Sequence, residues 1–223
     1  SKTDAICSAG SFTVAPTNGS GDIIPTGTTY SWSAPTVAGI TGTASGTNAA
    51  SISGTLINTT NSPITVNYSV TPSATNSTSI CTGAPFTVAV TVNPSPIANA
   101  GADQTVCVGA SVTLAGTGVD TYTWDNSVVD NTAFTAVNAT NASITTTYTM
   151  TATDGNGCTS SDQVAVTVEP TPIIANTVDT ICSVGTFNVT PANGSGNTVP
   201  SGTTYSWSAP SVTGITGTAS GSS

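Results

Sequence analysis

The sequence has almost no charged side chains. Only 5% of its 223 residues are charged, and one basic residue against ten acidic ones gives a formal net charge of −9. A chain with a single cation cannot neutralise the phosphates of a nucleic acid or an anionic lipid surface, so both are excluded as partners. The polar surface must therefore come from Thr, Ser and Asn.

Histidine is absent as well. Its absence excludes Ser-His-Asp and Cys-His catalysis and any imidazole metal site. No nucleophile–base pair, paired-carboxylate motif or phosphate loop appears, so we predict a protein that is not an enzyme and needs no cofactor. No apolar run is long enough to insert into a membrane, and no signal peptide is visible. Because the chain begins with Ser1, we expect an interior piece of a longer polypeptide.

Amphipathic helices of useful length are also missing, and the abundant residue types favour strands and turns. Residues 64–71 and 86–92 alternate cleanly between apolar and polar side chains, as in Ile64, Val66, Tyr68 and Val70. This period predicts strands with one buried and one solvated face. Short strands separated by Gly- and Pro-rich segments are typical of β-sandwiches, and the length suits two or three of them. We predict an all-β fold.

An internal repeat divides the chain. Residues 180–221 repeat residues 5–46 without a gap, at an offset of 182 − 7 = 175. Two segments with paired prolines, 93–99 and 169–175, predict short, stiff junctions. We therefore predict three domains: 1–95 (repeat A), 96–171 (repeat B) and 172–223 (repeat A′, the truncated first part of a second type A domain).

The motif Tyr-x-Trp occurs once in each repeat and holds all three tryptophans. Residues two apart on a strand point to the same face, so each pair is predicted to anchor a core. The predicted anchors are Tyr30, Trp32, Tyr122, Trp124, Tyr205 and Trp207. Most other aromatic residues are in phase with apolar strand neighbours, which favours core positions over an exposed carbohydrate platform. Phe134 is the one candidate for exposure.

Five cysteines are spread along the chain without a CxxC motif, which argues against zinc and thioredoxin-like chemistry. Cys7 precedes the first predicted strand of repeat A and Cys81 precedes the last, while Cys107 and Cys158 hold the matching positions in repeat B. We predict the disulfides Cys7–Cys81 and Cys107–Cys158. The partner of Cys182 would lie near position 182 + 74 = 256, beyond residue 223. Such bonds suit an oxidising, extracellular compartment.

Several motifs resemble PKD and PKD-like domains, which are immunoglobulin-like β-sandwiches. In repeat B they are ANAGADQTVCVGASVTLAG, YTWD, and YTMTATDGNGC followed by VAVTV; Asn-Ser-Val after Asp125 departs from the usual Phe-Gly-Asp. In repeat A they are GTTYSWSAP, ITGTASG, SGTLINTT, VNYSVTP and CTGAPFTVAVTVNP. The repeat A motifs are similar to the PKD-like repeats of large secreted Bacteroidota proteins. The resemblance implies tandem sandwiches in an extended array, exported by the type IX system as in SprB-type gliding-motility adhesins.

On this resemblance we expect an extracellular, cell-surface-attached stalk that acts in adhesion and gliding motility. Its partners would be neighbouring repeats of the same chain and other copies in a filament. Two alternatives remain open. The repeats themselves would bind extracellular polysaccharide, or they would be spacers in a secreted hydrolase.

Four further patterns resemble functional sites, and each has an alternative explanation as ordinary surface residues. The candidate Ca²⁺ ligands of repeat B lack the spacing of a calcium loop, so no metal is predicted: Asp103, Asp120, Asp125, Asp130 and Asp154. Lys2 lies outside the core pattern, which excludes Lys–Asn cross-links. Asn-x-Ser/Thr sequons are expected by chance: Asn18, Asn58, Asn67, Asn138 and Asn188. Thr180, in Asp179-Thr180-Ile181, resembles a Bacteroidota O-glycosylation pattern and is the candidate modification site.

Overall fold

A computed structural model of the chain describes residues 1–19, 21–76, 79–118 and 121–222. The described residues form strands, turns and irregular segments without a helix, as predicted. The first ten strands are β1 (Lys2–Cys7), β2 (Ser11–Val14), β3 (Thr28–Trp32), β4 (Ile40–Thr41), β5 (Gly46–Ala49), β6 (Ile52–Thr55), β7 (Ile57–Asn58), β8 (Ile64–Asn76), β9 (Ser79–Thr82) and β10 (Phe86–Asn93).

Eight strands follow in the rest of the chain. They are β11 (Gln104–Cys107), β12 (Ser111–Val112), β13 (Thr121–Trp124), β14 (Phe134–Thr135), β15 (Ile144–Thr153), β16 (Thr159–Glu169), β17 (Ser206–Trp207) and β18 (Gly221–Ser222).

The strands of repeat A form an immunoglobulin-like arrangement. The large sheet has the order β1-β10-β8-β3-β5, with β9 paired to β8, and the pairs β2–β6 and β4–β7 lie outside it. All pairs are antiparallel except β1–β10, which runs parallel with Lys2 opposite Val88 and Cys7 opposite Asn93. Because β1 is parallel to the last strand, Cys7 lies at the end of the sheet where β10 also ends.

The core of repeat A follows the alternation read from the sequence. The ring centroids of Phe12 and Tyr68 are 5.4 Å apart, and Trp32 Nε1 donates a 2.9 Å hydrogen bond to the carbonyl oxygen of Ala44. Each large apolar side chain buried in this way stabilises the fold by about 1.5–3 kcal/mol. The buried side chains are Phe12, Tyr30, Trp32, Ile40, Ile52, Leu56, Val66, Tyr68, Val70, Val88, Val90 and Val92.

Repeat B has a four-stranded sheet of order β11-β16-β15-β13 and a separate β12–β14 pair. Its first and last strands are again parallel, with Gln104 opposite Val166 and Cys107 opposite Glu169. On β15, Met150 and Ala152 are buried, whereas Ile144, at the start of the strand, is 37% exposed. The strands β12 and β14 have only two residues each.

Repeat A′ has little regular structure, and one of its predicted anchors is wrong. Trp207 is 52% exposed, whereas its counterpart Trp32 is buried. Trp32 pairs with Gly46 on β5 and with Val70 on β8. Trp207 keeps the first pairing, with Gly221. The counterpart of β8 would begin at position 64 + 175 = 239. Among the residues that the structure describes, β17 pairs with β18 alone, so Trp207 lacks the second strand neighbour that Trp32 has in β8.

Contacts divide the chain into two compact units. The first consists of Ser1–Asn99, Gly116–Thr123 and Met150–Asp162, and the second of Ala100–Ala115, Trp124–Thr149 and Gln163–Ser223. These units are not the three ranges predicted from the sequence repeat, so the division at residues 95 and 171 stays a prediction. Within the part of the chain that the structure describes, no helix has the length and apolar character needed to cross a bilayer.

Candidate functional site

A disulfide joins Cys7 to Cys158. Their Cα atoms are 5.4 Å apart, although 151 positions separate them in the sequence, and both residues belong to the first compact unit. Cys158 is 1% exposed. Cys81, Cys107 and Cys182 are exposed free thiols. The predicted pairings Cys7–Cys81 and Cys107–Cys158 are therefore wrong, and the bond that forms joins repeat A to repeat B.

The register of the large sheet explains why Cys7 does not reach Cys81. Cys7 lies opposite Asn93, next to the level at which Val92 pairs with Ile64, while Cys81 lies opposite Ala74. From Ile64 to Ala74 is 74 − 64 = 10 residues along β8, or roughly 30 Å at the rise of a strand. A disulfide requires Cα atoms about 4.4–6.8 Å apart. The two cysteines are thus at opposite ends of one sandwich.

The same geometry separates the cysteines of repeat B. Cys107 lies opposite Glu169 at the end of β16, while Cys158 immediately precedes the start of β16. The 169 − 158 = 11 residues between these levels again correspond to more than roughly 30 Å. The predicted pairing is wrong because Cys7 does not precede the first strand. Cys7 in fact ends a strand that runs parallel to the last one.

A tight turn fixes the position of Cys7. The backbone N–H of Ser8 donates to the carbonyl of Asn93, that of Ala9 to Leu56, and that of Gly10 back to Cys7, each at 2.8 Å. A Cβ at Gly10 would lie 2.7 Å from the Cys7 carbonyl oxygen, so only glycine fits this approach. The turn therefore holds Cys7 against the end of β10.

Asn58 ties the same end of repeat A together. Its Nδ2 donates 2.8 Å hydrogen bonds to the carbonyl oxygens of Ser62 and Val92, and its Oδ1 accepts bonds from the N–H and Oγ1 of Thr60 at 2.9 and 2.8 Å. The backbone N–H of Asn58 donates to Ser8 Oγ at 3.0 Å. The residue is 6% exposed. Although Asn58 begins a sequon, its side-chain amide is occupied by hydrogen bonds within repeat A.

Asn138 occupies the matching place in repeat B. Its Nδ2 donates to the carbonyl oxygens of Ala142 and Val168 at 2.9 and 2.8 Å, and its Oδ1 accepts from the N–H and Oγ1 of Thr140 at 2.8 Å each. The two asparagines thus make the same four side-chain bonds, each to a turn and to the last strand of its repeat. We call this arrangement the asparagine clasp of Asn58 and of Asn138.

The turn between β15 and β16 presents Cys158. The carboxylate Oδ1 of Asp154 accepts hydrogen bonds from the backbone N–H groups of Asn156 and Cys158 at 2.9 and 2.8 Å. Gly157 has φ +79°, a conformation that glycine adopts without strain. Next to this turn, Ser160 Oγ donates to the carbonyl oxygen of Pro96 at 2.6 Å, which ties the start of β16 to the 93–99 junction.

Three other acidic residues of repeat B also accept hydrogen bonds within the repeat. Asp103 Oδ1 accepts from the N–H of Ala165 at 2.8 Å, and Asp125 Oδ1 accepts from that of Thr149 at 2.9 Å. Asp130 Oδ1 accepts from the indole of Trp124 at 2.9 Å. Asp120 lies outside the described residues. Among the residues that are described, no three His, Cys, Asp or Glu side chains gather in a metal-binding group.

The predicted anchors differ in burial. Tyr30 and Trp32 are buried in repeat A, while Tyr122, Trp124 and Tyr205 are half-buried. Burial raises the pKa of the Tyr30 phenol, and the nearby Asp22 carboxylate raises it further against an opposing effect of Lys2. Lys2 forms an ion pair with Asp22. Burial alone raises the pKa of Tyr68.

Two clefts are lined in part by aromatic side chains. A cleft of about 280 Å³ is lined by Phe134 and Tyr148, whose rings are 5.6 Å apart and inclined at 47°, so they do not form one flat surface for a sugar ring. A second cleft, of about 420 Å³, is lined by Tyr30, Phe86 and Cys81 among others. Thr180 is exposed, and its N–H is bonded to Asp179 Oδ1 at 2.8 Å.

Residues 4–96 match the family model described as the PKD-like domain. This agrees with the resemblance read from the motifs of repeat A. Domains of this family are typically non-catalytic. No curated protein matches the chain in sequence.

Solved structures with partial likeness include a cadherin and an immunoglobulin-domain protein. Mouse cadherin-23 EC22-24 is 12% identical with a TM-score of 0.25, over 77% of this chain and 64% of that one. Sidekick-1 immunoglobulin domains 1-4 are 14% identical with a TM-score of 0.24, over 76% of this chain and 49% of that one. The chain thus spans about half to two thirds of these relatives.

Proposed function

We propose that the chain is a non-catalytic repeat segment of an extracellular surface adhesin or filament, and that it acts as a disulfide-stapled stalk. The division into repeats A, B and A′, the attachment to a cell surface and the extended arrangement are parts of this proposal. So are the Bacteroidota origin, export by the type IX system and the role in gliding motility, which rest on the resemblance of the motifs.

The observation that carries the proposal is the bond between Cys7 and Cys158. A stalk transmits force along its chain, and a covalent bond between successive repeats lets that force bypass the residues between the two cysteines. The bond spans 151 positions, which include almost all of repeat A and most of repeat B. Its formation also suits an oxidising compartment outside the cytoplasm.

Pulling a single molecule by its two ends tests this role. In the oxidised chain only the first 7 residues and the last 223 − 158 = 65 can extend, about 72 residues or roughly 250 Å. With reductant present, the release of 151 further positions should add roughly 500 Å. Identical extension with and without reductant would contradict the stalk.

The alternative that the repeats themselves bind polysaccharide has a separate test. The oxidised chain, with its free thiols alkylated, is applied to an array of extracellular glycans. The stalk proposal expects no binding above that of an unrelated sandwich protein. Saturable binding that is lost in a Phe134→Ala variant would favour the binding module and would locate its site at the cleft of Phe134 and Tyr148.

A further inference from the structure

Cys107 is followed by a turn of the same kind as the one that follows Cys7. The N–H of Val108 donates to Glu169 at 3.0 Å, that of Gly109 to Ala136 at 2.8 Å, and that of Ala110 back to Cys107 at 3.1 Å. These three bonds correspond one by one to those that follow Cys7. Both cysteines end a first strand that runs parallel to the last strand of the repeat. We call Cys7 and Cys107 turn cysteines.

Cys182 begins the same local turn in repeat A′. The N–H of Gly185 donates to the carbonyl of Cys182 at 2.8 Å, as Gly10 does to Cys7. Val184 has φ +62° and its counterpart Ala9 has φ +63°, so the backbone conformations agree at a position where few side chains are tolerated. Cys182 is therefore the third turn cysteine.

Cys81 and Cys158 hold equivalent positions at the end of the repeat opposite to the turn cysteines. In the sequence, Cys81 lies between β8 and β10, and Cys158 lies between β15 and β16. Each begins a Cys-Thr pair followed shortly by Val-Ala-Val-Thr-Val on the last strand, at residues 88–92 and 164–168. We call Cys81 and Cys158 hairpin cysteines. The bond that forms joins the turn cysteine of repeat A to the hairpin cysteine of repeat B.

We infer that Cys7–Cys158 is one member of a series, in which the turn cysteine of each repeat bonds to the hairpin cysteine of the next repeat along the chain. Cys107 and Cys182 are then unpaired turn cysteines, and Cys81 is an unpaired hairpin cysteine. Their partner is another sandwich repeat of the same kind, seated end to end. This inference concerns how the repeats are joined and does not depend on the proposed stalk function.

The surfaces beside the free cysteines fit this partner. Ile80, which precedes Cys81, is 71% exposed, and Ile23, which lines the same cleft as Cys81, is 88% exposed. At the turn end of repeat B, Val137 precedes the asparagine clasp and is 78% exposed. The matching Ile57 of repeat A, at the end that carries the bond, is 43% exposed. Apolar side chains left open at both unbonded ends are suited to burial against a further repeat.

The bond forms by thiol–disulfide exchange. The thiolate of one cysteine attacks a small disulfide such as oxidised glutathione, forms a mixed disulfide and releases one glutathione thiolate. The thiolate of the second cysteine then attacks the protein sulfur of the mixed disulfide and releases the other glutathione. Two protein thiols are oxidised, and one oxidised glutathione is reduced to two molecules of the thiol.

Such a series would make an array of repeats almost inextensible. Within one period of 175 residues, force would cross from Cys7 to Cys158 through the bond and then follow the backbone to Cys182. That backbone path contains only 182 − 158 = 24 residues, or roughly 80 Å when fully extended. A second route through Cys81 and Cys107 would run beside it, so every position of the array would be spanned by at least one bond.

The test uses the full chain lengthened at its C-terminus by its own residues 49–95. These residues complete repeat A′, because residue 223 corresponds to residue 48 at the offset of 175. The chain is oxidised with glutathione, alkylated, and digested with an Asp-specific protease and chymotrypsin. We expect Cys107 linked to the appended copy of Cys81, with Cys7 linked to Cys158 in the same digest.

The outcomes separate clearly. Alkylated Cys107, or Cys182 bonded to the appended copy of Cys81, would overturn the series, and the Cys7–Cys158 peptide in the same sample would show that the chain had folded. In a Cys107→Ser variant of the lengthened chain, the appended cysteine should become fully alkylated while Cys7–Cys158 remains. Bonding of the appended cysteine to another residue in that variant would count against the pairing rule.

Discussion

Cys7 and Cys158 are covalently joined, and their Cα atoms are 5.4 Å apart. Each has another cysteine in its own predicted repeat that is nearer to it along the sequence. Cys7 lies where the sheet of repeat A ends, and Cys158 lies where the last strand of repeat B begins. The bond therefore joins the end of β1 to the turn that immediately precedes β16. Several consequences of this geometry, and of the packing around it, are measurable.

Removing the disulfide should lower stability. For a loop of about 150 residues the chain-entropy model gives roughly 5 kcal/mol, an upper value because native strain and residual structure reduce it. In Cys7→Ser and Cys158→Ser we expect the free energy of unfolding to fall by about 2–5 kcal/mol. Urea unfolding without reductant, after alkylation of the free thiols, measures the change.

Matched variants distinguish the bond from the side chains. Cys107→Ser, at an exposed thiol in the equivalent turn, should change stability by less than about 0.5 kcal/mol. The Cys7→Ser/Cys158→Ser double variant should be no less stable than either single variant, because each already lacks the bond. A double variant with summed losses would show that the cysteines act separately.

Removing one side-chain amide from the asparagine clasp should lower the free energy of unfolding substantially. Asn58→Ala removes four hydrogen bonds at a residue that is 6% exposed and leaves the Val92 carbonyl without that donor. We expect a loss of about 2–3 kcal/mol in unfolding free energy. Asn138→Ala should cost less because Asn138 is only half-buried. Asn61→Ala, at an exposed neighbour, is the control, and equal effects of Asn58→Ala and Asn61→Ala would contradict the clasp.

Two equivalent glycines test the difference between a buried and an exposed tryptophan. A methyl group at Gly46 would overlap the six-membered ring of Trp32, which is 9% exposed, and one at Gly221 would overlap the ring of Trp207, which is 52% exposed. The exposed ring can rotate away. We expect Gly46→Ala to cost about 1–3 kcal/mol and Gly221→Ala less than about 0.5 kcal/mol, by urea unfolding followed through tryptophan fluorescence. Equal costs would be the contrary result.

Alkaline pH should destabilise the core of repeat A. The pKa values of Tyr30 and Tyr68 are raised in the folded chain from 10.0, chiefly by burial, so the unfolded chain loses these protons first. Their contribution is complete below pH 10.0 and is lost as the pH rises through the folded pKa values. The urea midpoint should fall above this pH in alkylated protein. In Tyr30→Phe/Tyr68→Phe the fall should be smaller, and an unchanged fall would refute this cause.

Much of the fold could be predicted because it depends on local sequence patterns, namely the apolar–polar alternation of the strands and the Gly- and Pro-rich segments between them. The alternation of Val66, Tyr68 and Val70 fixes which face of β8 is buried, and the structure confirms that face. The Gly- and Pro-rich segments separate the strands as expected. These features depend on side chains within a few residues of each other, so a single sequence is sufficient to read them.

The disulfide could not be predicted in the same way, because it depends on strand direction. Nothing in residues 2–7 indicates that this segment is a strand parallel to β10, and that pairing alone moves Cys7 to the far end of the sheet from Cys81. The clasp was missed for a related reason. Asn58 and Asn138 read as chance sequons, and only the fold brings the carbonyls of Val92 and Val168 to their amides.

The position of the disulfide is tested most directly by peptide mapping of the 223-residue chain without reduction. Cleavage before each Asp places every cysteine in a different peptide: 4–21, 22–102, 103–119, 154–161 and 179–223. After oxidation and alkylation, mass spectrometry should find peptide 4–21 joined to peptide 154–161, with Cys81, Cys107 and Cys182 alkylated. Peptide 4–21 joined to 22–102, or 103–119 joined to 154–161, would contradict the account.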